Sequence, residues 1–254
     1  MKTGMIAMAE EFIYGKNPVL EALQSGRMVK EVLVSKQLNK QTEREIFRAV
    51  KRAKSVMKHV PVERLDRLVK GNHQGIVAVV ASYTYVSVQH LLNVAKERDE
   101  RPFLLILDEL EDPHNLGAIL RTADAAGVHG IIIPKRRAVG LTDTVAKTSA
   151  GAIEHVPVAR VTNIVQTMKQ LKEQDLWIVG TDGESTEDYR QLDGDIALAI
   201  VIGNEGRGLS RLTKETCDWL VHIPMLGSIT SLNASVAASI LMYEVFRKRN
   251  VLGE

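Results

Sequence analysis

Between Pro102 and Arg249 the hydrophobic period switches repeatedly, and this alternation constrains the fold more than any other feature of the chain. Short apolar runs FLLILD, GIIIP, VPVARV, LWIVG, IALAIVIG and WLVHIP are interspersed with segments of helical spacing at 115–127, 142–152, 164–174, 209–216 and 232–249. Runs without polar positions at every second residue are strands covered on both faces, and strands separated by helices run parallel. The expectation is an α/β unit whose parallel sheet has helices on both sides.

The preceding residues follow the same logic on a smaller scale. GKNPVLEALQSG has helical spacing with Pro18 near its start, residues 31–34 form a strand, and residues 43–54 are again helical. Helical residues 62–69 and the Gly71, Asn72 turn lead into an apolar β-branched run at 75–80. This gives a compact domain over 10–81. Residues 82–101 are mixed and end in a charged run, so they read as a linker, with a second domain over 102–254. Charge divides the same way. Residues 1–99 hold 17 Lys and Arg against 10 Asp and Glu, leaving 16 against 21 for the rest, a balance of +7 against −5. A cationic module in front of an acidic one suits polyanion binding joined to a different task.

Several classes are excluded. The longest apolar stretch, Ile196 to Ile202, falls well short of the roughly 20 residues that cross a bilayer, and the start MKTGMIAMAE lacks an apolar export core. One cysteine, Cys217, precludes an internal disulfide and reads as a small core residue. A cytoplasmic protein with no membrane partner is expected. The seven histidines have no ligand spacing, so no metal site is assigned.

Three clusters carry chemistry. NLGAILRTA (115–123) follows a strand end and offers Asn115 as a helix cap and Arg121 in the second turn; read alone, the pair only caps and neutralises. IVIGNEGRGLS (200–210) enters a glycine-rich turn in the order G-x-x-G-x-G, which matches neither a dinucleotide fingerprint nor a phosphate loop. Glu205 at its centre is harder to explain as filler. IPMLGSITSLNASVAASI (223–240) ends a strand in small polar residues and opens a long helix with small residues at Ala234, Ser235, Ala237, Ala238 and Ser239.

In this order and spacing, the three clusters resemble the motifs of the SpoU, or TrmH, family of RNA ribose 2′-O-methyltransferases. YGKNPVLEAL (14–23) and NHQGIVA (72–78) resemble the substrate-binding domain of the subgroup that methylates a guanosine of 23S ribosomal RNA. The resemblance implies an L30e/L7Ae-like α/β domain followed by a SPOUT α/β catalytic domain with a C-terminal deep trefoil knot. It implies S-adenosylmethionine held by Gly203, Ile223, Leu232, Met225, Leu226 and Gly227. The catalytic set carried over is Arg121 with Asn115 and Glu205 to orient it and the ribose, and Asn233 and Ser231 to complete the polar wall. A guanidinium stays protonated in proteins, so Arg121 is read as a phosphate clamp that lets a phosphate oxygen take or polarise the 2′-hydroxyl proton, rather than as the base itself. A homodimer through the catalytic domain is expected, with the small-residue face of the last helix as the contact.

On the helix at 43–54, Arg44, Arg48, Lys51 and Arg52 recur at four-, three- and one-residue steps. Such a stripe is ordinarily a solvated face, but beside a methyltransferase domain it reads as an RNA contact. His73 in its turn is either an RNA contact or a structural hydrogen bond. The competing functions are methylation of transfer RNA or of another ribosomal nucleotide of the antibiotic-resistance type, and a non-catalytic RNA-binding ribosome assembly factor.

Overall fold

Apolar residues of alternating phase build the smaller of two units into which the chain divides after Thr84 in the computed structural model, which describes residues 9–24, 28–228 and 231–250. The elements are β1 (Ala9–Tyr14), α1 (Lys16–Gln24), β2 (Val29–Ser35), α2 (Lys40–Arg52), β3 (Val56–Val60), α3 (Val62–Leu68) and β4 (Ile76–Ser82). The sheet order is β1-β4-β2-β3, with only β2 and β3 parallel, joined by the α2 crossover. Val32, Val34, Ile76 and Ala78 point to the face covered by α1 and α2, while Leu33, Val77 and Val79 point to α3. Helix α2 starts three residues before the expected position because Asn39 Oδ1 accepts the Gln41 N–H at 2.8 Å, capping a polar first turn that hydrophobic spacing does not reveal.

The larger unit contains α4 (Val88–Glu97), β5 (Phe103–Leu107), α5 (Pro113–Ala125), β6 (Gly130–Pro134), α6 (Asp143–Thr148), β7 (Val158–Val161), α7 (Ile164–Lys172), β8 (Trp177–Thr181), β9 (Leu198–Ile202), α8 (Arg211–Thr216), β10 (Trp219–Val221) and α9 (Ala234–Arg249). Its six strands are all parallel in the order β10-β8-β9-β5-β6-β7. Every residue of β5 and β9 is buried, which is why these two runs are uniformly apolar.

Residues 82–101, read from sequence as a linker, carry α4. Leu91 and Ala95 are fully buried in the core of the larger unit, so the polar character of the segment describes only the helix's outer face. A second difference concerns α9. Ala234 and Ala238 are buried within the chain, and Ser239 Oγ lies 3.1 Å from Thr122 Oγ1 of α5. The small side chains therefore seat α9 on α5 of the same chain, and the residues of α9 left exposed include Val236, Tyr243 and Phe246. The far end of α9 is fixed by Arg249, which donates to the carbonyls of Arg101, Gly194 and Ile196.

His129 is fully buried before β6; its Nδ1 accepts the Phe103 N–H at 2.9 Å and its Nε2 faces Glu100 Oε2 at 2.9 Å. Burial holds its pKa below the ordinary value, outweighing Glu100. The unfolded chain therefore binds more protons than the folded one below about pH 6.5, so stability should fall as pH drops through that value. Thermal unfolding between about pH 8 and 5.5 should show a steeper acid decline in the native protein than in His129→Gln; equal slopes would reject this account.

Candidate active site

The carboxyl ends of the adjacent parallel strands β8, β9 and β10 leave polar backbone facing one opening, the position where open α/β sheets bind ligands. A pocket of about 260 Å³ lies there. Thr181, Asp182 and Gly183 line it from the end of β8, Ile202 to Gly206 and Gly208 from the end of β9, Val221, His222, Ile223 and Met225 from the end of β10, and Ser231, Leu232, Ala234 and Ala237 around the start of α9.

The turn after β9 is a closed loop. Asn204 and Gly208 exchange both backbone hydrogen bonds at 3.1 and 2.8 Å, and Asn204 Oδ1 accepts the Gly206 and Arg207 N–H groups. Asn204 Nδ2 reaches across to the Glu109 carbonyl at 3.0 Å, tying this loop to the one that follows β5. Gly203 has no room for a side chain, because a Cβ would stand 2.4 Å from the Gly208 carbonyl carbon. Gly208 itself has φ +64, the left-handed region that glycine enters without strain. Beneath the loop, Asp108 is buried at the end of β5 and accepts from Thr213 Oγ1 at 2.9 Å, which anchors α8; burial raises its pKa above the usual carboxylate range.

This loop aims Glu205 at the start of α9. Glu205 Oε1 accepts from Asn115 Nδ2 at 2.9 Å, from Asn233 Nδ2 at 2.5 Å and from the Ala234 N–H at 3.1 Å, while Asn233 Nδ2 also donates to Asn115 Oδ1 at 2.9 Å. A carboxylate on the first N–H of a sixteen-residue helix is favourably placed against the helix dipole. Asn233 is the cap of α9, its Oδ1 accepting from Ser235 and Val236. One residue from each of the three sequence clusters thus meets the others within hydrogen-bond distance.

The remaining candidates are placed differently. Asn115 does not cap α5: Asp112 does, accepting the His114 N–H at 2.9 Å, and Asn115 is buried within the first turn. Pro113 at the first helical position, with no N–H to satisfy, is the signal for this earlier start. Arg121 is exposed and has no hydrogen bond or ion pair among the described residues, so Glu205 and Asn115, expected to orient it, instead orient each other and α9. Gly203, Ile223, Met225, Leu232 and Ser231 line the pocket, whereas Leu226 and Gly227 are exposed and do not. Residues 229 and 230 of the third cluster lie outside the described residues. Thr181, Asp182 and His222 line the pocket without having been singled out, although their position just past β8 and β10 on the same sheet edge was the available signal.

In the smaller unit Arg44, Arg48, Lys51 and Arg52 are all exposed on α2. His73 is turned inward: its Nδ1 accepts the Gly75 N–H at 2.9 Å, leaving Nε2 for Asp66 Oδ1 at 2.9 Å, so both ring nitrogens have partners within the fold. Cys217 is half-buried, and burial pushes its thiol up to about 12, which makes it inert as a nucleophile. Among the described residues no cluster of His, Cys, Asp or Glu is arranged to hold a metal ion, and no helix is long and apolar enough to cross a membrane.

A parallel sheet with a pocket at the carboxyl ends of β8 to β10 and a polar network beside it is the arrangement of a ligand-binding α/β domain. Residues 102–243 match the model of the SpoU rRNA Methylase family and residues 12–86 match that of the RNA 2′-O ribose methyltransferase substrate-binding domain, so the chain belongs to the SpoU methylase family. A putative TrmH family tRNA/rRNA methyltransferase of Bacillus subtilis is 53% identical, with 98% of this chain and 100% of the relative covered. One from Staphylococcus aureus is 51% identical over 97% and 100% of the two chains. The crystal structure of the SpoU methyltransferase AviRb from Streptomyces viridochromogenes in complex with AdoMet superposes with a TM-score of 0.62 at 28% identity, covering 94% of this chain and 90% of that one.

Proposed function

We propose that the protein transfers a methyl group from S-adenosylmethionine to the ribose 2′-hydroxyl of a guanosine in 23S ribosomal RNA. The observation that carries the chemistry is the Asn115, Glu205, Asn233 network, whose Glu205 lines the pocket. The glycine loop fits the cofactor because Gly203 and Gly208 leave backbone, rather than side chains, against the cavity, and an adenine edge needs a donor and an acceptor without charge. Gly203, Ile223, Met225 and Leu232 would hold it, with Leu226 and Gly227 in the adjoining exposed loop. When bound, the cofactor supplies an electrophilic methyl group on a sulfonium.

The protein's own part is positioning and proton handling. Arg121 clamps a phosphate bidentately, so that a phosphate oxygen takes or polarises the 2′-hydroxyl proton. Glu205 uses Oε1 on Asn115, Asn233 and the start of α9, holding the polar wall rigid, and Ser231 stands on the pocket wall beside it. A first domain over 10–81 with an L30e/L7Ae-like fold and a second domain that begins at Tyr85, so as to include α4, belong to the same reading, as does a C-terminal deep trefoil knot; tracing the C-terminal part of the chain in a crystal structure tests the knot. A cytoplasmic location follows from an RNA substrate of this kind and is tested by fractionation.

We also infer a homodimer. The exposed apolar residues Val236, Tyr243 and Phe246 on α9 support it, and they replace the small-residue stripe as the contact. Light scattering should give twice the chain mass at micromolar concentration, and a monomer would reject the dimer. The experiment that tests the function is mapping of 2′-O-methylation in RNA from cells with and without the protein. Loss of one mark in 23S RNA is expected. Loss of a mark in transfer RNA would change the substrate, and unchanged marks throughout would favour an assembly factor.

A further inference from the structure

The exposed face of α2 carries an aromatic ring that the fold does not use. Phe47 is 52% exposed, while the adjoining side of the helix is buried through Ile46, Ala49 and Val50. At helical spacing Phe47 shares its face with Lys40, Arg44 and Lys51, and Arg48 flanks it. None of these four cations forms an ion pair among the described residues. The carboxylates nearby are occupied elsewhere: Glu43 binds His59 Nε2 of β3 at 2.7 Å and Glu45 binds Lys16 Nζ of α1 at 2.8 Å. The face is therefore an exposed aromatic ring among four cations that form no ion pair among the described residues, with Glu43 the carboxylate on the same side, hydrogen-bonded to His59. An isolated exposed phenylalanine needs no explanation, but a ring at the centre of such a field does.

We propose that this face of α2 seats an unpaired stretch of RNA, with one base stacked on Phe47 and the neighbouring phosphates held by Arg44, Arg48 and Lys51. Charge complementarity selects a polyanion, and the exposed ring selects single strands, because a base inside a duplex has no free face to stack on an aromatic side chain. The inference deepens the reading of the protein as an RNA methyltransferase and rests on it.

The test uses the full chain and a labelled oligoadenylate of about 12 nucleotides, compared with an RNA duplex of the same length, by fluorescence anisotropy at several salt concentrations. Phe47→Ala should weaken oligoadenylate binding about 5- to 100-fold, with no change in salt slope and little effect on the duplex. Phe47→Tyr should bind nearly as the native protein does, which separates loss of stacking from loss of folding. Arg44→Ala with Lys51→Ala should instead reduce the slope of log affinity against log salt by about 1.4. Native-like affinity in Phe47→Ala overturns the proposal, as does an equal loss on the duplex. Competition by oligoglutamate that depends on Phe47 also overturns it, in favour of an acidic polypeptide partner. Methyl transfer to cellular RNA by the same preparations keeps the two readings apart: transfer that is indifferent to Phe47 at every RNA concentration removes only the stacking site, while Phe47-dependent binding without any transfer by the native protein removes the enzyme.

Discussion

Arg121→Ala is expected to lower single-turnover methyl transfer by about 10²- to 10³-fold, the usual cost of removing a charged group that acts on the transition state. Cofactor affinity should stay within about twofold, because Arg121 is absent from the lining of the 260 Å³ pocket and bonds to none of its residues. Its freedom from described partners also makes the substitution mild for the fold. Arg121→Lys should recover little, since an ammonium cannot reproduce a two-pronged contact with phosphate. Single-turnover kinetics with labelled cofactor, alongside calorimetry, reads both quantities. Transfer at the native rate in Arg121→Ala would remove the phosphate clamp from the mechanism.

The second large effect is expected at Gly203. Alanine there places a methyl carbon 2.4 Å from one backbone atom of Gly208 and 2.6 Å from the Leu209 nitrogen. Neither is the tip of a flexible side chain, so the closed loop from Asn204 to Gly208 must open or shift. Overpacking of this kind costs about 1–3 kcal/mol, and here the strain falls on the segment that aims Glu205. Cofactor affinity should fall at least about 100-fold, corresponding to about 2.7 kcal/mol, with a lowered Tm and an otherwise native circular dichroism spectrum. Unchanged affinity would mean that this loop does not bind the cofactor.

These two positions differ in how visible they are before any coordinates exist. The parallel sheet was legible because β5 and β9 are apolar at every residue, and Asn115, Glu205 and Asn233 were grouped in one site through the resemblance of their three clusters, though as partners of Arg121 rather than of one another. Side-chain direction was not. Asn115 reads as a cap because it is a capping residue type, yet Asp112 takes that place and turns Asn115 inward to meet Glu205. His73 sits in a polar turn, and the sequence does not show that the Gly75 N–H and Asp66 take both of its ring nitrogens. Helix α4 was hidden because its buried residues are few and its outer face dominates the composition. Thr181, Asp182 and His222 went unnoticed since they belong to no recognisable cluster and become part of the pocket only through the strand order β10-β8-β9.

The network beside the pocket joins residues that are 90 and 118 positions apart in the chain. Contacts so distant in sequence close late, after local elements have formed, because the intervening loop must first lose its freedom. During synthesis the smaller unit, whose last strand ends at Ser82, is complete long before Asn233 is added. A growing polypeptide can therefore present the α2 surface while its donor-binding end does not yet exist.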